Sequence, residues 1–423
     1  MRMMKRTGLA RGALWGQGGA VMPMAGFIII ALLALAAIAV DVGYILVTKQ
    51  QLQNAADACV LAAASAMILE EPEKTVGVYD RVTDMCSRHR AGDEESITIV
   101  PSEDVVIEDN KLTVYTQKLR DRGNGLPLFF ARILGIRYAN VTAKAALEVY
   151  TSTSACCVKP WAIADRWDDE TPITGYPSWQ NNDRWDGEHF EDLNGNRLWD
   201  EGESFEDENG NGVYDSEYYN RELSQENLAG YIPELPPEGH IGMQLKLKVA
   251  SQSDRAASSY FNPVVLPWPD DDEYPARGAA RYEQSIIECN PTVIQQGEEL
   301  FLESEPGRMV GPTNHGAKTI IQQDPTAYWN EQTNMVDHYG GGGALGESPR
   351  VIMIPVFDPR MWPGSGRLQG ENSVVISKIV AFFLEDLKQD VVIGRVTRAP
   401  VSCMEPVEPG GNTSFTWSYR LVE

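Results

Sequence analysis

"AVMPMAGFIIIALLALAAIAVDVGYILVTKQQLQNAADACVLAAASAMILEE", Ala20 to Glu71, is the stretch on which the fold turns. From Ala20 to Val40 it carries no charge, which matches the roughly 20 apolar residues that cross a bilayer core as a helix. Beyond the apolar run the text stays helical: it is rich in Ala, Leu and Gln, has no proline until Pro72, and sets Leu46, Leu52, Ala56 and Val60 at helical spacing. We expect one helix from about Met22 to about Leu69, with its first half in lipid. Pro23 falls near the start, where proline is tolerated. The alternative is two helices broken at Gly43, although glycine costs only about 1 kcal/mol in a helix interior.

The flanks set the compartment. Arg2, Lys5, Arg6 and Arg11 precede the span without an acid, and Asp41 follows it. This asymmetry puts the N-terminus in the cytoplasm and the rest outside. The competing reading is a cleaved signal peptide, whose apolar core usually runs only about 7–15 residues. A retained single-pass anchor in the cytoplasmic (inner) membrane, with a periplasmic or extracellular ectodomain, is the expectation. Cysteine usage agrees with such a compartment. Cys59, Cys86, Cys156, Cys157, Cys289 and Cys403 make an even set with no CxxC pair, which suits disulfides outside the cytoplasm. A bond between the neighbours Cys156 and Cys157 would be strained, so separate partners in Cys289 and Cys403 are expected.

Asp41, Gly43, Leu52, Gln53, Asn54, Ala55, Ala56, Asp57, Leu61 and Ala62 match the N-terminal pattern of a known family. The chain resembles TadE/TadG-like proteins of the Flp (tight adherence) pilus-assembly systems. The resemblance extends through "KLTVYTQKLRDRGNGLPLFFARILGIRYANVTAKAALEVY", Lys111 to Tyr150, as a strand, an "FFArxlG" turn and a second strand. It extends more loosely to Gly297–Trp329. It implies a non-enzymatic membrane component that works with other Flp/Tad pilus proteins. One departure matters. Counting five residues from Gly18 or Gly19 reaches Pro23 or Met24, where processed pilins usually carry glutamate. A membrane-anchored assembly or tip-type (minor pilin-like) component fits better than a standard filament subunit.

The charge is focused. The chain carries 60 acidic against 36 basic residues, a net −24. Asp165 to Glu217 alone holds 17 acidic and 3 basic residues, which points to a cation site rather than a general acidic surface. Nothing resembles a basic stripe, so nucleic acid is not an expected partner. Within the segment, "FEDLNGNRLWDEGESFEDENGNGVYD", Phe190 to Asp215, repeats itself after fifteen residues. A twelve-residue calcium loop takes oxygens from positions 1, 3, 5, 7, 9 and 12. Counting from Asp192 gives Asp192, Asn194, Asn196, the Leu198 carbonyl, Asp200 and Glu203. Counting from Asp207 gives Asp207, Asn209, Asn211, the Val213 carbonyl and Asp215. Tyr218 cannot close that second loop; either Glu217 substitutes or Asp and Glu residues of the first repeat are shared. Gly212 sits at position 6, where the turn wants glycine. These loops resemble those of dockerin and related extracellular modules. A partial third copy adds Asp183, Asp186 and Glu188. Asn-Gly pairs are also hairpin signals, and acidic runs are also solvated linkers, but Trp185, Phe190, Trp199, Phe205, Tyr214, Tyr218 and Tyr219 argue against a linker. Two Ca²⁺ sites, with a third in the partial copy, would stand in for the hydrophobic core the segment lacks.

The fold class is therefore α+β. A single transmembrane helix continues into a long amphipathic, pilin-like helix, followed by a β-rich extracytoplasmic ectodomain with a calcium-loop insertion. The organisation reads as a cytoplasmic tail (1–19), the transmembrane and extended helix (20–70) and a small α/β TadE/TadG-like region (71–158). The acidic calcium segment (159–225) and a β-rich distal domain (226–423) complete it. The distal strands are "HIGMQLKLKVA", "RVIMIPVFDP", "NSVVISKIVAFFLED" and "VVIGRVTRAPV". Enzyme signatures are missing: the five histidines form no HExxH, and no GxSxG or Walker loop occurs. The text around Arg308–Thr313 lacks the Gly-Lys-Ser/Thr of a phosphate loop, and Thr313, His315 and Asp324 read as surface loop residues rather than a hydrolase set. The alternative function is a calcium-dependent cell-surface adhesin or carbohydrate-binding protein, meeting a host or surface ligand and using the pilin-like helix only as an anchor.

Overall fold

The computed structural model describes residues 21–69, 76–92, 95–167, 184–185, 187–195, 199–207, 212, 214, 216, 230–237, 239–250, 256–271, 276–304, 306–340, 347–362, 372–401, 403 and 414–422. Helix α1 (Val21–Leu69) is one uninterrupted helix of 49 residues that passes Gly43 without a break. From Met24 to Val47 its apolar side chains are largely exposed, Phe27 to 74%. Further on, Leu52, Ala55, Ala56 and Cys59 are fully buried, the stripe of an amphipathic helix packed on one face. Among the described residues one helix is long and apolar enough to cross a membrane, Met24–Leu69, with mean hydropathy 2.6 in its most apolar window.

After α1 come α2 (Val76–Ser87), β1 (Val105–Glu108), β2 (Lys111–Lys118), β3 (Val141–Ser152) and β4 (Trp161–Ala164). The distal half adds β5 (Gln244–Val249), β6 (Tyr260–Pro263), α3 (Ala279–Ile287), β7 (Glu299–Phe301), α4 (Val310–Gln323) and β8 (Val351–Phe357). It ends with β9 (Ser373–Lys388), β10 (Val391–Thr397), β11 (Ala399–Pro400) and β12 (Thr416–Val422). The four stretches expected as distal strands all are strands, and Arg308–Thr313 is helical, ending a 3₁₀ turn and opening α4. A five-stranded sheet has the order β11-β12-β3-β2-β1. The chain forms two compact units that alternate along the sequence. One comprises Met1–Cys59, Thr83–Asp104 and Val114–Ala145; the other comprises Val60–Val82, Val105–Thr113 and Ala146–Glu423.

In the first unit the helix is tied down by polar contacts and one covalent bond. Thr116 Oγ1 donates to the Leu52 carbonyl at 2.8 Å, and the Gln53 amide donates to the Lys144 carbonyl at 2.9 Å. Cys59 is bonded to Cys86, with Cα atoms 5.5 Å apart. Buried Asp104 accepts the Val100 N–H at 2.9 Å and pairs with Arg122 at 2.7 Å. A buried carboxylate is tolerated because its oxygens are taken.

The second unit is built on a closed barrel. Strand β9 is sixteen residues long, enough to pair with β8 along one edge and β10 along the other. The ring then runs β10-β5-β6-β4-β8 back to β9, with β5–β6 and β4–β8 parallel. The start of β9 also pairs with β7. Both faces of β4 are buried: Trp161 and Ile163 join one apolar cluster, Ala162 and Ala164 another. The β9–β10 turn places Gln389 and Asp390 at φ 48° and 64°, the double left-handed geometry that matches strand twist in a two-residue hairpin. Helices α3 and α4 pack closely because Gly316 has no side chain; a Cβ there would lie 2.5 Å from Ile286 Cγ2. The vicinal cysteines do take separate partners, Cys156 with Cys403 and Cys157 with Cys289.

Two buried cations join distant parts of this unit. Lys378 pairs with fully buried Asp165 at 3.0 Å, and Asp165 also accepts the Tyr231 N–H at 2.9 Å. Arg350 donates to the carbonyls of Asp324, Ala327, Leu384 and Glu385 at 2.6–3.0 Å and lies over the Phe383 ring. Near the first pair, His240 Nδ1 accepts the Ile232 N–H at 2.9 Å. Burial, with Arg166 and Lys378 nearby, holds this imidazole down to about 4, against an ordinary 6.5. As pH falls through 6.5 the unfolded chain takes a proton that the folded chain refuses until about 4, so stability is full above 6.5 and declines toward 4. Thermal melts between pH 7 and pH 4.5 should show this loss, and a His240→Gln variant should lose less over the same range than the parent chain.

Candidate functional site

The acidic repeat lies in the second unit and enters it through backbone contacts: Arg184 pairs with Ala257, and the Trp185 N–H bonds the Ala256 carbonyl at 2.8 Å. Its two copies then pair with each other. Phe190 and Phe205, equivalent residues of the repeat, form an antiparallel bridge. The Glu191 N–H to the Ser204 carbonyl (2.8 Å) and the Glu206 N–H to the His189 carbonyl (2.7 Å) flank it. Trp199 and Tyr214, a second equivalent pair, stack at 4.9 Å and 9°. The diagonal contacts match as well, Phe190–Tyr214 at 5.7 Å and Trp199–Phe205 at 5.9 Å, both edge-on. Contacts that exchange one copy for the other are the pattern of a local two-fold axis.

These four rings correct one expectation. The segment does not lack a hydrophobic core; edge-on and stacked ring pairs supply a small one. The signal for it is in the sequence, since Trp199 and Tyr214 stand at the same fifteen-residue spacing as the carboxylates. Burial of Tyr214 and the nearby Glu188 charge push its phenol up to about 12.

The carboxylates organise the loop backbone around this core. Asp192 accepts the Gly195 N–H at 2.7 Å, and Asp207 accepts the Gly212 N–H at 2.7 Å. Gly195 and Gly212 stand at φ 77° and 76°, a conformation that glycine adopts without strain. Asn194 and Asp200, positions 3 and 9 of the first loop, meet at 2.7 Å. Glu203, position 12, is buried, and its two oxygens accept the N–H groups of Leu193 and Asp200 at 2.9 Å each. Positions 1, 3, 9 and 12 of the first loop are therefore present and tied into one loop. Asn196, Leu198, Asn209, Asn211, Val213, Asp215 and Glu217 lie outside the described residues, as do Asp183 and Asp186 of the partial third copy. Among the described residues no three His, Cys, Asp or Glu side chains converge as a metal-binding group. Replacing Glu203 by alanine leaves two amides without their acceptor, a loss of about 1–3 kcal/mol. Hydrogen exchange at Leu193 and Asp200 should accelerate by on the order of tenfold or more.

The residues considered as a hydrolase set go to different partners. Thr313 and His315, expected in surface loops, lie in helix α4; Thr313 is buried and its Oγ1 bonds the Tyr282 hydroxyl at 2.9 Å, and His315 Nδ1 meets Glu283 at 2.8 Å. Asp324 sits between His338 Nε2 (2.8 Å) and Ser348 Oγ (2.7 Å), beside an open groove of about 550 Å³. Burial pushes the Asp324 carboxyl up, but the donors Ser348, His338 and Thr326 outweigh it and hold it at about 2. The Ser348 hydroxyl donates to the carboxylate and not to the imidazole, so this trio makes no nucleophile–base contact.

Comparison with known proteins bears on α1. No curated protein and no solved structure matches the chain. One family model, Tad, described as Flp pilus-assembly TadE/G-like, matches residues 18–66. That range covers the exposed apolar half of α1 together with Asp41, Leu52, Ala55, Ala56 and Cys59. The similarity to TadE/G-like Flp pilus-assembly proteins covers residues 18–66 of this chain.

Proposed function

We propose that the chain is a non-enzymatic, membrane-anchored component of Flp-type pilus assembly, acting as a minor pilin-like, tip or assembly subunit. In this reading α1 spans the cytoplasmic membrane with its N-terminus inside, and the barrel and acidic repeat stand outside. The observation that carries it is the division of α1: on the family-matched residues, one continuous helix exposes apolar side chains first and buries its later turns in its own fold. Three disulfides support an oxidising compartment for the ectodomain. Affinity isolation of the tagged full-length chain from native membranes should recover other Flp/Tad components, and deletion of the chain should reduce surface pili. Normal piliation and no shared complex would overturn the assembly role.

Calcium belongs to the same proposal. Asp192, Asn194, Asn196, Asp200, Glu203 and the Leu198 carbonyl would hold one ion. Asp207, Asn209, Asn211, Asp215, Glu217 and the Val213 carbonyl would hold a second. All are hard oxygen donors, as calcium prefers. The closeness of Asn194 to Asp200, the turn at Gly212 and the buried Glu203 support this arrangement. Bound ions would relieve carboxylate repulsion and stiffen the loops around the ring cluster. Calorimetric titration of Ca²⁺ into the chelator-stripped full chain in detergent should detect two ions, with affinity on the order of 10⁻⁴–10⁻³ M and a higher melting temperature. The Asp192→Ala, Asp207→Ala variant should show neither effect. Absence of heat and of any melting shift in the parent chain removes calcium from the proposal.

A further inference from the structure

The turn between β2 and β3 in the first unit carries more apolar surface than its own packing uses. Phe129, Phe130, Ile133, Leu134, Ile136 and Tyr138 are all exposed, Ile133 to 80% and Leu134 to 76%. The turn is closed. Leu126–Pro127 pairs with Tyr138–Ala139, the Leu128 N–H bonds the Arg137 carbonyl at 3.0 Å, and Ala131–Leu134 forms a 3₁₀ turn ended by Gly135. The apolar side chains are thus held outward by a hydrogen-bonded frame. An exposed apolar group of this kind marks a contact surface.

Asp41 fixes where that surface stands. One of its oxygens accepts the Phe129 N–H at 2.9 Å, and the other accepts those of Phe130 and Ala131 at 3.0 and 2.6 Å. Tyr44 packs on Phe129 with ring centres 5.2 Å apart. Asp41 directly follows the uncharged run Ala20–Val40. At about 1.5 Å per residue that run covers roughly 30 Å, the thickness of a bilayer's hydrocarbon core. The turn therefore stands beside α1 at the level where the span leaves the hydrocarbon. Exposed Val42, Leu46 and Val47 continue the apolar surface of α1 past the same level. The charges of Phe129–Tyr138 are Arg132 and Arg137, both exposed and with no acid among them. Apolar side chains flanked by guanidinium groups suit the acyl boundary together with anionic headgroups.

We propose that Phe129–Tyr138 is an interfacial membrane wedge. It inserts its apolar side chains into the leaflet facing the ectodomain, beside α1, and sets Arg132 and Arg137 against lipid phosphates. The inference rests on α1 being a membrane span. It also gives Asp41 a role: three backbone N–H groups satisfy its carboxylate at a depth where water is scarce, and that bond registers the wedge against the span.

The test uses the full chain with Ile133→Cys. The six native cysteines are all paired, so a nitroxide reagent labels one thiol. Reference labels go at Ile29→Cys in the span and at Tyr339→Cys, exposed in the other unit. In phosphatidylcholine–phosphatidylglycerol vesicles, collision with oxygen relative to a water-soluble nickel chelate reports lipid exposure. The expected result is a ratio at residue 133 several-fold above that at 339 and approaching that at 29. A watery reading at 133 with a lipid reading at 29 overturns the wedge and leaves the span. Watery readings at both overturn the span and the wedge together. A label at 133 shielded from both reagents and broadened by a second label means that another copy covers the turn, which also overturns the inference.

Discussion

Backbone N–H and C=O groups find no water in hydrocarbon, so a single segment that enters a bilayer does so as a helix that satisfies its own hydrogen bonds. Helix α1 obeys that constraint from its first described residue and keeps the same hydrogen-bond ladder to Leu69. What changes along it is the company of its side chains. Large aliphatic residues dominate while it is bare, and alanines take over where Leu52, Ala55, Ala56 and Cys59 are buried. One continuous rod thereby carries the position of the apolar segment directly into the folded first unit. The change-over falls at Thr48 and Leu52, with Asp41 holding the β2–β3 turn ahead of it, and the Cys59–Cys86 bond secures the rod one region further on.

The acidic repeat solves a different problem. Crowded carboxylates repel one another, and a sequence of this charge density tends toward a solvated chain. Two devices oppose that here. Glu203 is buried only because both of its oxygens accept backbone N–H groups, which meets the desolvation cost of a carboxylate. Phe190, Trp199, Phe205 and Tyr214 then join the two copies through their ring faces and edges. Repetition in the sequence becomes pairing in space, because the same apolar positions recur at the same offset.

Much of this architecture is legible in the residues. The length of α1, its passage through Gly43 and the four distal strands follow from propensity and periodicity, which act locally. Barrel closure does not, because it depends on β9 being long enough to serve partners on both edges, and the register between Ala381 and Thr397 is a non-local choice. The Asp165–Lys378 pair and the four carbonyls around Arg350 are equally hidden, since each gathers groups from distant parts of the chain. In the repeat the carboxylates draw attention first. Their aromatic neighbours, at identical spacing, prove to be what joins the copies.

The vicinal cysteines have a topological consequence. Cys157–Cys289 closes a covalent ring that contains the whole acidic repeat, and Cys156–Cys403 closes a larger ring around the first. A protease that cuts the repeat opens one ring without dividing the molecule. The fragments stay linked through Cys157 and Cys289, and the strands on either side keep their neighbours. The most highly charged part of the chain can therefore be nicked without releasing the barrel strands that follow it.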